Sequence, residues 1–352
     1  MKKIAYLLIV LLTLLMACDD KKQQYEHSTY FALDDFQDMG LISHEASNLD
    51  SVFRPLVICN SDSVLIISDT GTDYYIQCYN KKDGKKLCEF LPWGNGPNEM
   101  NYITDIQDCG DSLFVYNSQQ NKYMIFDKTN LTSFDNISPK KSTTIKDAPI
   151  VRALILPRGN ILAYSLNPEP HLLSMYNADN QLLEIKGGYP DDKQEYPSDF
   201  AKKKAFDCEI GVDFHNQKIV VCYKLTDLIE IYDLSLNLIK RIQGPDYFFP
   251  IVDQSTDGEY TSAGAIFGKS IEAYGRPVII ENEIWVLYSG DIMDSKPNDY
   301  LRDKLFVFDF NGIPLRQYKL DVPILRFAVD PVENKIYAIT DIPDFRIVTF
   351  QL

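Results

Sequence analysis

Short runs of alternating apolar residues, each ending on an aromatic and a turn of Asp, Asn or Gly, recur along the chain. The clearest is Leu305-Phe-Val-Phe-Asp-Phe-Asn-Gly-Ile-Pro-Leu315, which reads as a strand, a tight turn and a returning strand. Versions of it stand at 76–87, 123–130, 173–180 and 229–237, and a shortened one follows at 346–352. Ahead of each lies a more continuous apolar run, such as Ser63-Val-Leu-Ile-Ile67 or Glu283-Ile-Trp-Val-Leu287, and before that another, such as Pro277-Val-Ile-Ile280. The repeating unit is therefore four strands. Its hairpin aromatics Tyr79, Phe126, Tyr176, Tyr232 and Phe308 are 47, 50, 56 and 76 residues apart. Four-stranded units repeating at roughly 40–50 residues predict a β-propeller. The expected fold is all-β: a six-bladed β-propeller of four-stranded antiparallel blades over residues 41–352. The sixth unit lacks its outermost strand, and an open radial edge is costly. An N-terminal strand within residues 41–46 is expected to close the ring. The longer spacings hold insertions at 187–205, 250–275 and 290–302, with short helices expected at 199–205 and 262–273.

The first residues follow another pattern. Lys2 and Lys3 precede an apolar run from Ile4 to Met16, broken by Thr13 and too short to span a bilayer. Residues 1–17 read as a secretory signal peptide. Leu15-Met-Ala-Cys18 resembles the lipobox of bacterial lipoproteins, which implies cleavage before Cys18 and attachment to the membrane through lipid on its sulfur. Asp19 and Asp20 come next, and residues 18–40 read as the lipidated Cys and a flexible tether. Acidic residues after the lipid-bearing Cys resemble the surface-export signal of Bacteroidetes lipoproteins. The implied location is the outer membrane, at the cell surface or the periplasmic face.

Composition narrows the partners. There are 35 Lys and Arg against 50 Asp and Glu, a net charge of −15. Removing the signal, with its two lysines, deepens the excess. Such a field repels a phosphate backbone, so nucleic acid is excluded as a partner. Six cysteines lie beyond Cys18, mostly in apolar strands where a thiol behaves as a small hydrophobe. Cys208 and Cys222 flank one predicted turn and could bridge. A monomer is expected.

At 91–99, Leu-Pro-Trp-Gly-Asn-Gly-Pro-Asn-Glu resembles the Gly-x-Gly-Pro-x-Glu signature of the TolB-like six-bladed propeller lipoproteins of Bacteroidetes, and Gln243-Gly-Pro245 resembles a degenerate second copy. The resemblance implies a lipid-anchored propeller and brings no agreed activity. The loop also reads physically, as a tight crossover between blades with Trp93 either plugging the blades or offering a ligand platform.

Candidate chemistry is sparse. No nucleophile elbow, phosphate loop or metal-ligand spacing is present, and no cofactor or metal is expected. In register, the predicted inner strands begin with Arg54, Arg152, Arg276 and Arg326, while blades 2 and 4 offer Thr104 or Asp105, and Glu209. Four arginines at one blade position should converge on the channel mouth, where planar, permanently charged donors suit carboxylate, sulfate or phosphate. Each could instead pair with a carboxylate of its own blade, such as Asp69, Asp73, Asp227 or Asp341. Asp69, Asp73, Trp93 and Asp341 are the candidates on the loop face. The functional reading is a binding or scaffold module for an anionic small molecule, glycan, peptide or partner protein. The alternative is a hydrolase or lyase using channel carboxylates, with a divalent cation.

Overall fold

A computed structural model describes residues 23–45, 49, 52–132, 137–146, 149–165, 171–294 and 300–352. The expected signal peptide and Cys18 lie outside them. Six antiparallel sheets are arranged radially, spanning 55–92, 105–144, 150–186, 208–243, 278–324 and, with an N-terminal strand, 326–351. We number them blades 1 to 6. Within each the chain starts at the axis and works outwards. The second strands, such as Val64–Asp69, are buried at every position or at all but the first, because both sheet faces meet a neighbouring blade. That is why these runs are continuously apolar rather than alternating.

Six apolar cores fill the six interblade spaces. The last joins Ile58, Leu65, Ile67 and Tyr79 of blade 1 to Ala328, Tyr337 and Ile339 of blade 6, and so completes the ring. Closure by strand pairing comes from the expected source. Ser43–Glu45 pairs antiparallel to the terminal strand Arg346–Gln351, with His44 opposite Thr349.

Two expectations are corrected. From Gln23 onward the expected tether is a packed strap. Thr29–Tyr30 pairs parallel with the outer strand of blade 4, and Gln37–Leu41 with that of blade 5. Tyr25, Phe31 and Leu41 enter three successive interblade cores. Aromatic side chains that fill gaps between blades are worth more buried than any tether's freedom is worth kept. The helix at Asp199–Ala205 forms, capped by Ser198 Oγ accepting the Ala201 N–H at 3.1 Å. The one expected at 262–273 does not: Val252–Asp257 and Tyr260–Ala265 form a hairpin about Gly258, at φ +61°. Cys208 and Cys222 are both free. They face opposite sides of blade 4, one packed toward blade 3 and the other toward blade 5, so no bridge can form.

Candidate functional site

Inner strands begin on the face where the chain crosses from blade to blade, here called the crossover face. Arg152 and Glu209, from neighbouring blades 3 and 4, form a two-pronged pair: Arg152 Nε donates to Glu209 Oε2 at 2.7 Å and Nη2 to Oε1 at 2.6 Å. Arg276 of blade 5 donates to Asp105 of blade 2. Those blades lie opposite each other, so this pair spans the channel. Lys224 Nζ stands 3.1 Å from Asp207 and 3.5 Å from Glu209. Arg326 of blade 6 reaches Glu209 only at 3.9 Å. Below these charges lies a cavity of about 200 Å³, lined by residues including Val57, Ile106, Leu154, Val212 and Phe327.

The carboxylate partners are therefore not the own-blade acids. Asp105 and Glu209 occupy in blades 2 and 4 the register that arginine holds elsewhere, so the ring neutralises itself across blades.

The neutralisation is incomplete. Burial opposes ionisation of Glu209, yet Arg152, Lys224 and Arg326 hold its carboxyl well below the usual range. Burial likewise opposes the charge on Arg152, but Glu209 outweighs it and raises that guanidinium. Arg326 moves the other way: burial, together with Arg152 and Arg276 nearby, pulls it down despite Glu209 and Asp105. Glu209 belongs to Arg152, and Arg326 is the under-compensated cation. Two carboxylate oxygens here, Asp105 Oδ2 and Asp207 Oδ1, are buried without a hydrogen-bond partner and would accept from a donor.

Arg54 takes another course. It is exposed, with its guanidinium over the Phe345 ring at 5.9 Å. Asp69 is fully buried and accepts the N–H groups of Phe53, Arg54 and Gly71 at 2.6, 2.9 and 2.8 Å, which makes it a turn staple. Asp73 is exposed, and half-buried Asp341 accepts the Tyr300 hydroxyl. Trp93 is 67% exposed, so it is not a plug. Lys224 and Asp207 were not foreseen; nothing in their spacing marks them, and only the fold brings them beside Glu209.

The 91–99 loop now has a physical account. Glu99 Oε2 accepts the Gly96 N–H at 2.8 Å, and the Glu99 carboxylate fills the space that a Cβ on Gly94 or Gly96 would need. Lys122 Nζ donates to the Gly96 and Glu99 carbonyls at 2.7 and 2.9 Å. At the second copy the strap replaces the glutamate: a Cβ on Gly244 would collide with the Phe31 carbonyl.

Known proteins share this fold. A Bacteroides fragilis protein described as exported is 13% identical, with a TM-score of 0.52, covering 92% of this chain and 99% of its own. A member of the DUF4221 family from Bacteroides vulgatus is 10% identical, with a TM-score of 0.58, covering 88% and 94%. At those identities the likeness is one of fold. No curated protein matches in sequence. The profile of the TolB-like 6-blade propeller-like family spans residues 35–332, and with the six blades and glycine loops in place the chain belongs to that family.

Proposed function

We propose that this protein is an exported, lipid-anchored binding module that holds a small hydroxylated anion, such as an acidic sugar, at the channel mouth. One observation carries the reading: three guanidinium groups meet two carboxylates there, and Arg326 is left without a close counter-charge. Arginine stays charged at any physiological pH and donates in a planar fork, which suits a carboxylate or sulfate. The unpartnered oxygens of Asp105 and Asp207 would accept hydroxyl donors. The hydrolase or lyase alternative gains no support from these carboxylates. Glu209 is held ionised by three cations, which leaves it no proton to donate and makes it a weak base.

Export is supported by the Lys2–Met16 pattern and by the likeness to a Bacteroides protein described as exported. Anchoring rests on Cys18. Cys18→Ser is expected to release the protein from membranes; unchanged incorporation of labelled fatty acid in that variant would overturn the anchor. For the ligand, thermal unfolding of the mature protein is compared in glucuronate, sulfate and glucose. A ligand bound only by the folded state raises the midpoint with concentration. Glucuronate and sulfate should do so and glucose should not; equal behaviour of all three would sink the anion site.

A further inference from the structure

The chain enters the propeller on the crossover face. Gln23 donates its N–H to the Tyr247 carbonyl at 3.0 Å, and its own carbonyl accepts from Gln243 Nε2 at 2.7 Å. Tyr25 donates its hydroxyl to Thr226 Oγ1 at 3.1 Å. Gln243 ends an outer strand, and Thr226 lies between the second and third strands of blade 4, both on the side where the arginine ring opens.

That same face carries the exposed aromatics. Phe53 (63%), Trp93 (67%), Tyr260 (85%) and Phe267 (64%) all belong to crossover segments, while Tyr74 and Tyr300 flank loops between second and third strands. Tyr30, the remaining exposed aromatic among the described residues, pairs with Gln243 at the same end of blade 4. The exposed large apolar residues toward the opposite face, Leu182, Leu183, Leu238, Ile239, Ile313 and Val332, are all aliphatic.

We infer that the crossover face is the membrane-facing face, and that its exposed aromatics rest in the bilayer interface. The inference depends on the Cys18 anchor proposed above. Four residues separate Cys18 from Gln23, and the five steps between them, at roughly 3.3–3.6 Å each, reach about 18 Å at most. A lipid on Cys18 therefore holds this face close to the headgroups. Aromatic rings with an apolar body suit that boundary. The acidic excess gives no pull toward anionic lipid, so the contact should be insensitive to salt. The channel mouth then opens onto the gap above the headgroups, which admits small solutes and excludes large ones.

Trp93 is its own reporter, because the other tryptophan, Trp285, is 3% exposed inside blade 5. The mature lipidated protein is reconstituted into phosphatidylcholine vesicles with and without brominated acyl chains. Trp93 emission is expected to be lost to the brominated lipid and protected from iodide, unchanged by added salt. In a Trp93→Phe, Val332→Trp variant, the reporter on the opposite face should keep its emission and its access to iodide. Vesicle-bound protein with Trp93 unquenched, or with Val332→Trp quenched, overturns the orientation and leaves the anchor standing. Trp93 shielded from iodide yet unquenched would mean a protein covers the face, which also overturns it. Failure to associate with vesicles, with an unmodified N-terminal peptide by mass, overturns the anchor and the orientation together.

Discussion

Glu209 answers three cations with one carboxylate while only 5% exposed, so its removal leaves Arg152 partly buried without its counter-charge, while Lys224 keeps Asp207. Glu209→Ala should cost roughly 3–5 kcal/mol by chemical denaturation. Asp73→Ala, on an exposed loop, should change stability by no more than about 0.5 kcal/mol. Equal effects would refute the ion-pair account. Asp227 behaves oppositely with pH. Its carboxyl is buried, and that burial pushes it up to about 7 against the N–H groups of Tyr247, Phe248 and Asp246 and the Gln243 side chain. The protonated form is therefore favoured in the folded state. Its contribution to stability is full below the ordinary Asp value near 4 and is lost as pH rises through about 7. Asp227→Asn should accordingly cost less stability at about pH 8 than at about pH 5; a larger cost at the higher pH would contradict the burial argument. The arginine register was legible from residues alone, as were its acidic members Asp105 and Glu209. Their pairing was not, because sequence position does not say that blades 2 and 5 face each other across the channel.

Among the elements, the strap from Gln23 to Leu41 carries most of what the sequence concealed. Its strands are short and pair in parallel with outer strands, so no alternation announces them. The residues that fasten it, Tyr25, Phe31 and Phe36, look like scattered aromatics until the interblade spaces exist. Phe31→Ala should lower stability by about 3–5 kcal/mol, as for other fully buried aromatics, and Gly244→Ala should weaken the same contact by displacing the Phe31 carbonyl. A Phe31→Ala protein melting like the parent would mean that the strap is dispensable. The closing strand was readable because the sixth unit was visibly one strand short. The hairpin at 252–265 was missed in favour of a helix at 262–273, although Asp257-Gly258 between its Ser and Thr-bearing arms is a turn signal.

At the scale of the whole molecule, six hairpin repeats fix the ring, and the ring in turn places the charges. Three arginines from blades 3, 5 and 6 meet acids from blades 2 and 4 above a cavity, and Arg326 is left over. The most direct test is calorimetric titration of glucuronate into the mature protein and into Arg326→Ala and Arg54→Ala variants. A hydrogen bond to a charged group is worth about 1.5–3 kcal/mol, so Arg326→Ala should weaken binding roughly tenfold to a hundredfold. Arg54, exposed and held over Phe345, should be replaceable without effect. Binding by Arg326→Ala as tight as that of the parent, or equal losses in both variants, would contradict an anion site built on the channel mouth.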